Sequence, residues 1–342
     1  MMYSTKYRKL LSMLTYRRPA RSETEEDFIN RFIEPLNPFK DTFGNLYHEV
    51  KHEDGTTATT MFTAHTDSVH HTPGKQRITL DNNTGTVTVT DKDSNCLGAD
   101  DATGIYIMLE MIEAGVPGLY CFFRDEEIGG LGSSYAHDNT TSVWEHCTKC
   151  VSFDRTSRKH SVITAQFQDC CSEKFGVAIA EHLAKESGLQ YKTDDTGVFT
   201  DSANFTATIP ECTNISVGYI NEHTKDEVQS LYVLDQLLPA LISLDWEELP
   251  VVRTPEDDFD WFANYQSFSH NTDSKVRDEI DEIVTDEYFN IEQDLDNFMT
   301  FIGQPPIYKD ILNMITERCK ASGVQEFQFT AWYEHMLDQS TR

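Results

Sequence analysis

Five short segments place metal-binding side chains along this chain: Ala64-His65-Thr66-Asp67, Gly98-Ala99-Asp100-Asp101, Asp125-Glu126-Glu127-Ile128-Gly129, Phe153-Asp154-Arg155 and Glu222-His223-Thr224. Imidazole nitrogens and carboxylate oxygens are zinc donors, and a catalytic metal pair needs donors from several loops that meet at one point. Glu126 and Glu127 are adjacent, so beyond a strand they splay apart. One can then face a metal while the other faces a substrate and takes a proton from a water that the metal has acidified. Of Asp100 and Asp101, one can bridge two metals while its neighbour props the loop. Asp67 stands two residues from His65, the spacing by which an outer carboxylate fixes the tautomer of a metal-bound imidazole. Each segment alone also has a plainer reading: an acidic surface loop, a helix N-cap, or an unexceptional histidine at a strand end. Asp154 and His223 carry weight only in the set.

The elements around these residues decide whether they can meet. Leu46–Lys51, Thr59–Ala64, Gly118–Arg124, Cys150–Phe153 and Ile215–Tyr219 read as strands. The apolar run Leu119–Phe123 suits the buried centre of a sheet. Ser22 with Glu25 three residues on is a capping-box signature and opens a helix around Glu25–Ile33. Thr103–Ala114, Cys171–Glu186 and Lys225–Leu244 also read as helices, and Ile78–Thr90 reads as a hairpin about Asn82-Asn83-Thr84-Gly85. Alternating strands and helices predict a three-layer αβα fold with a central sheet. His65, Glu126, Glu127 and Asp154 then follow strands directly, and ligands gather at the carboxyl ends of strands in such sheets. His70 and His71 lead into the hairpin and are not counted among the donors.

The chain has 342 residues, of which 39% are hydrophobic and 11% aromatic. That is enough for one large domain with an appendage. Its net charge of −29 argues against a nucleic-acid partner, whose phosphates it would repel. No apolar run reaches the roughly 18 residues of a membrane span. Lys6, Arg8, Lys9, Arg17, Arg18 and Arg21 precede any acid, and the helical spacing of Leu10, Leu11 and Leu14 predicts a basic first helix on an acidic body. The eight cysteines show no disulfide framework and read as reduced cytoplasmic thiols. Cys147 and Cys150 have CxxC spacing, but no second pair follows to complete a zinc knuckle. Residues 1–245 are expected to form the catalytic domain, 246–273 a linker or arm, and 274–342 a small helical appendage.

The order HxD, GADD, DEExG, an aspartate after a strand, and His223 in His223-Thr224-Lys225-Asp226-Glu227 resembles the co-catalytic zinc exopeptidases, the M28 aminopeptidases with their M20 and M42 relatives. The resemblance runs from about Ser22 to Leu244. It implies two zinc ions, with cobalt or manganese also accepted by so carboxylate-rich a site. His65 and Asp154 would each bind one ion, Asp100 would bridge both, and Glu127 with His223 would complete the other set. Asp67 would orient His65, Glu126 would be the general base, and the Asp100–Asp101 peptide would be cis. The stretch between Asp154 and His223 is too short for the dimerisation domain inserted there in M20 enzymes, and only the hairpin region stands where M42 enzymes carry theirs. A compact M28-like domain is the nearest match, and a monomer is compatible with it. Gly197–Ser202 and Val217-Gly218-Tyr219 resemble the substrate-pocket loop and the strand after it, so Asp201 and Tyr219 are candidate substrate contacts. Tyr219 departs from that pattern in lying only four residues before His223.

These readings predict a metal-dependent exopeptidase, first of all an aminopeptidase acting on peptide N-termini. The rivals are a carboxypeptidase, dipeptidase or other amide hydrolase with the same site, a two-metal phosphoesterase, and a metal-binding scaffold without catalysis.

Overall fold

The computed structural model describes residues 3–166 and 168–255; the expectations for the rest of the arm and for the helical appendage lie outside the described residues. Strands are β1 (Phe39–Lys40), β2 (Leu46–Val50), β3 (Thr60–His65), β4 (Ile78–Asp81), β5 (Thr86–Val89), β6 (Gly118–Phe123), β7 (Lys149–Arg155), β8 (Ser161–Ile163), β9 (Lys192–Asp194), β10 (Glu211–Ser216), β11 (Tyr219–Ile220) and β12 (Val228–Ser230). The main helices are α1 (Arg8–Met13), α2 (Glu23–Phe32), α3 (Ala99–Glu113), α4 (Leu131–Asn139), α5 (Glu173–Ser187) and α6 (Leu231–Ser243).

An eight-stranded mixed sheet runs in the order β9-β8-β10-β7-β3-β6-β2-β1. Its centre, β10-β7-β3-β6, is parallel, while β2 joins β6 antiparallel. Side chains alternate across a strand, and here each face has its own core. Phe62, Ala64, Tyr120, Phe122, Val151 and Phe153 pack on one side with helices α1, α2, α3, α5 and α6. Met61, Leu119, Cys121, Phe123 and Cys150 pack on the other with Ala136 of α4, Trp144 and Phe205. Burial on both faces explains why β3 and β6 show no polar alternation: every residue in them is buried.

Register brings the donors level. Thr63 lies opposite Ser152 across the parallel β3–β7 pair, so two residues on His65 comes abreast of Asp154. His65 also pairs with Phe123, which puts Asp125-Glu126-Glu127 just past the same edge. A second sheet, β11-β12-β5-β4, joins the hairpin to the strands that flank the His223 turn.

Several boundaries differ from expectation. Ser22 does cap α2, accepting from the Glu25 N–H at 3.2 Å, but Glu25 reaches back to the N–H of Arg21 at 2.6 Å, one residue before Ser22. The expected helix over 225–244 is a strand followed by α6, because Val228–Ser230 pairs with β5 and the Ser230 hydroxyl then caps the helix at Val233 N–H. Strands β8 and β9 and helix α4 had no clear signal. No helix among the described residues is long and apolar enough to cross a membrane.

Candidate metal centre

His65 ends β3 with its imidazole buried. Its Nε2 lies 2.9 Å from Asp100 Oδ1, 3.7 Å from Asp154 Oδ1 and 3.9 Å from Glu126 Oε2. The other oxygen of Asp100 lies 3.1 Å from His223 Nε2, which is also 3.1 Å from Glu127 Oε2. Two donor triads result, His65–Asp100–Asp154 and Asp100–Glu127–His223, and within each triad the donor atoms lie within 4.8 Å of one another. Asp100 belongs to both. The five residues read as donors from the sequence are therefore gathered at one point.

Four nearby carboxylates and two imidazoles cannot be indifferent to one another. Burial disfavours the charged form of Asp100, but the hydrogen bonds from His223 and His65 outweigh it and hold its pKa well below the usual carboxylate range. Against the opposing effect of burial, the contacts with Asp100 and Glu127 push His223 up to about 12, although its imidazole is half-exposed. Burial raises the Glu126 carboxyl well above normal; Asp154 and Glu127 add to this and His65 opposes it. A carboxyl tuned upward beside a cluster of donors fits a proton-transfer role. Glu127 Oε1 is buried and has no hydrogen-bond partner. Such a lone pair is costly unless something coordinates it, so this donor set fits a divalent metal pair with its mix of nitrogen and oxygen.

A layer of outer contacts sets these side chains. Asp154 Oδ1 accepts from the Tyr219 hydroxyl at 2.8 Å and Oδ2 from Thr200 at 2.7 Å. Asn214 on β10 accepts the Asp154 N–H at 2.9 Å and donates to its carbonyl at 2.6 Å. Asp101 accepts from the N–H groups of His65 at 3.2 Å and Gly104 at 2.9 Å. The Asp100–Asp101 peptide is cis. Glu25 of α2 joins Arg124 through two hydrogen bonds and also accepts from Thr66 Oγ1 at 2.6 Å, which ties the loops after β3 and β6 to one helix.

No family model and no curated protein matches the chain. Its fold is another matter. An aminopeptidase PepT from Bacillus cereus is similar over 70% of this chain and 97% of that one, at 13% identity and a TM-score of 0.57. A tripeptidase from Staphylococcus aureus is similar over 71% and 97%, at 13% identity and a TM-score of 0.59. The chain shares the fold of these structures. At such identity the likeness speaks for the fold alone, and the residues must carry the chemistry.

The three other candidate residues are placed as follows. Asp67 Oδ1 stands 3.4 Å from His65 Nδ1, against the imidazole it is read as orienting. Both Asp67 oxygens also accept from the turn after β6, from Glu126 N–H at 3.1 Å and Glu127 N–H at 3.2 Å. Asp67 thus braces the two glutamates. Tyr219, expected to touch substrate, is 1% exposed and its hydroxyl is taken by Asp154. Asp201 is equally buried, which leaves no surface for a substrate; burial raises its carboxyl to about 7, with His65 opposing.

Two residues were missed. Glu227, the last residue of the His223 string, accepts four backbone N–H groups, from Leu97 at 2.7 Å, Gly98 at 2.9 Å, Ala99 at 2.7 Å and Asp100 at 3.1 Å. Its only sequence signal was proximity to His223. Arg18 is wholly buried rather than part of a basic surface helix. Both nitrogens of His70 find partners away from the donor cluster. Gln76 spends its amide nitrogen on the carbonyls of Leu14 and Leu97, so its oxygen must accept from His70 Nε2, and Nδ1 accepts from Ser68. Burial and the neighbouring Arg18 guanidinium lower His70 to about 3. Among the described residues the seven cysteines are free and buried, and the CxxC pair holds no donor cluster.

Proposed function

We propose that this chain is a two-metal exopeptidase that releases N-terminal residues from peptides. The observation that carries the reading is Asp100, whose two oxygens face two separate donor triads while Glu126 stands beside them outside both. His65, Asp100 and Asp154 would hold one ion and Asp100, Glu127 and His223 the other. Two zinc ions there would supply Lewis acidity toward the scissile carbonyl and toward the attacking water.

The chain's own groups do the rest. Glu126 accepts the proton of the attacking water and returns it to the leaving amine, a transfer its raised proton affinity suits. Asp67 keeps Glu126 aimed by holding its backbone N–H. The surplus of carboxylates favours a substrate with a free ammonium, and so an aminopeptidase. Catalysis is assigned to residues 1–245. Buried free thiols favour a reducing, cytoplasmic setting.

The test is hydrolysis of short peptides with free, N-blocked or C-blocked ends, with and without chelator. Release from free and C-blocked peptides, lost with chelator and restored by zinc, is expected. Glu126→Gln should bind zinc normally and lose at least about a hundredfold in kcat. Cleavage of N-blocked peptides only would replace the reading with a carboxypeptidase. Full activity in Glu126→Gln would remove the assigned base.

A further inference from the structure

Arg18 is the most unexpected charge in the molecule. Its side chain is completely buried, and a buried cation is costly unless it is well solvated by protein dipoles and opposite charge. Its three hydrogen bonds go to backbone carbonyls: Nε to Thr66 at 2.9 Å, one terminal nitrogen to Gly98 at 3.2 Å and the other to Tyr16 at 3.5 Å. Phe28 of α2 covers it, with the guanidinium carbon 4.6 Å from the ring centroid.

Two of those carbonyls belong to the donor loops. Thr66 lies between His65 and Asp67, and Gly98 lies two residues before Asp100. Gly98 is gripped on both sides, its N–H by Glu227 and its carbonyl by Arg18. The left-handed backbone and the His70 ring leave room only for glycine here. Its φ is +72°, and a Cβ there would lie 2.7 Å from His70 and 3.5 Å from Arg18 Nη1. The carboxylates of Asp101, Asp67 and Glu227 answer the charge at longer range.

We propose that Arg18 is a positioning residue for the dinuclear centre: its rigid fork ties the loop of His65 to the loop of Asp100 and so fixes the spacing of the two donor triads. The proposal rests on the two-metal reading above. A simple hydrogen-bond donor would not require a charge, and a cation so near two dications repels them. Arginine is retained there, on this argument, for a planar fork that reaches several acceptors at once and stays charged when buried. A lysine keeps the charge but offers a single point of attachment.

The experiment is zinc titration of metal-stripped protein against a chromophoric chelator, for wild type, Arg18→Lys and Arg18→Met. Thermal unfolding of each metal-free protein and steady-state kinetics at saturating zinc accompany it. Arg18→Lys is expected to fold, to bind the metal pair about 10- to 100-fold more weakly, as losses in the shell around metal ligands do, and to lose kcat with KM unchanged. Arg18→Met tests charge separately, and Arg18→Lys alone decides if Arg18→Met fails to fold. Variants that unfold at lower temperature yet bind zinc like wild type would show a purely structural arginine and overturn the proposal. So would tighter zinc binding by Arg18→Met, since repulsion would then outweigh anchoring. Wild-type protein that takes up no zinc sinks the functional reading and this proposal together, whereas two zinc ions in wild type and in unperturbed variants sink this proposal alone.

Discussion

Replacing Glu227 by glutamine changes one atom's chemistry and almost no volume, yet it should loosen the bridging carboxylate. Each Glu227 oxygen accepts two backbone N–H groups: Oε2 those of Leu97 and Gly98, Oε1 those of Ala99 and Asp100. Glutamine keeps one accepting oxygen and turns an NH2 toward the other pair. Two buried donors then face a donor. A hydrogen bond to a charged group contributes about 1.5–3 kcal/mol, so two lost bonds cost about 3–6 kcal/mol. Relaxation of the loop will recover part of this by letting Leu97–Asp100 move, and Asp100 moves with it. Glu227→Gln should therefore lower the unfolding free energy of metal-free protein by about 3 kcal/mol or weaken zinc binding about 10- to 100-fold, with the two losses trading against each other. Denaturant unfolding and chelator competition read the two quantities. A variant within about 0.5 kcal/mol of wild type with unchanged zinc affinity would refute the clamp.

Tyr219→Phe removes the donor to Asp154 Oδ1 and should weaken zinc binding about tenfold with little change in metal-free stability; a KM effect alone would return Tyr219 to the substrate. Gly104→Ala would put a Cβ 2.5 Å and 2.6 Å from the Asp101 oxygens. The same Cβ would lie 2.6 Å from the Phe153 carbonyl oxygen; overpacking of that kind costs about 1–3 kcal/mol, and unchanged thermal stability would refute this close packing of α3 on β7. His70 titrates near 3 when folded against an ordinary 6.5, so between those values the unfolded chain binds more protons and stability falls as pH falls. Metal-free protein should lose about 1.4 kcal/mol between neutral pH and pH 5.5 from this group. His70→Gln should flatten that limb, and an identical pH dependence in the variant would count against a buried neutral imidazole.

Residue chemistry and local periodicity made much of this legible. Imidazoles and carboxylates at the ends of apolar runs pointed to the residues that the fold gathers, since a strand buried on both faces has to end where polar groups can meet water or metal. Gly118–Phe123 was readable as a central strand for the same reason. The 225–230 segment was misread because its pairing partner lies far away in the hairpin, and long-range pairing overrides local helical preference.

The sequence by itself determined which atoms can bind metal, which strand ends carry them, and the three-layer α/β plan. Tertiary structure decided how those atoms are held. Asp67 stands against His65 and also holds the glutamate turn because two backbone N–H groups point at it, and the Tyr219 hydroxyl meets Asp154 because packing buries it there. Arg18 and Glu227 have no motif of their own. Their roles exist only because the fold brings the carbonyls of Thr66 and Gly98 to one and four loop N–H groups to the other, and backbone groups in a buried loop must find partners wherever the chain supplies them.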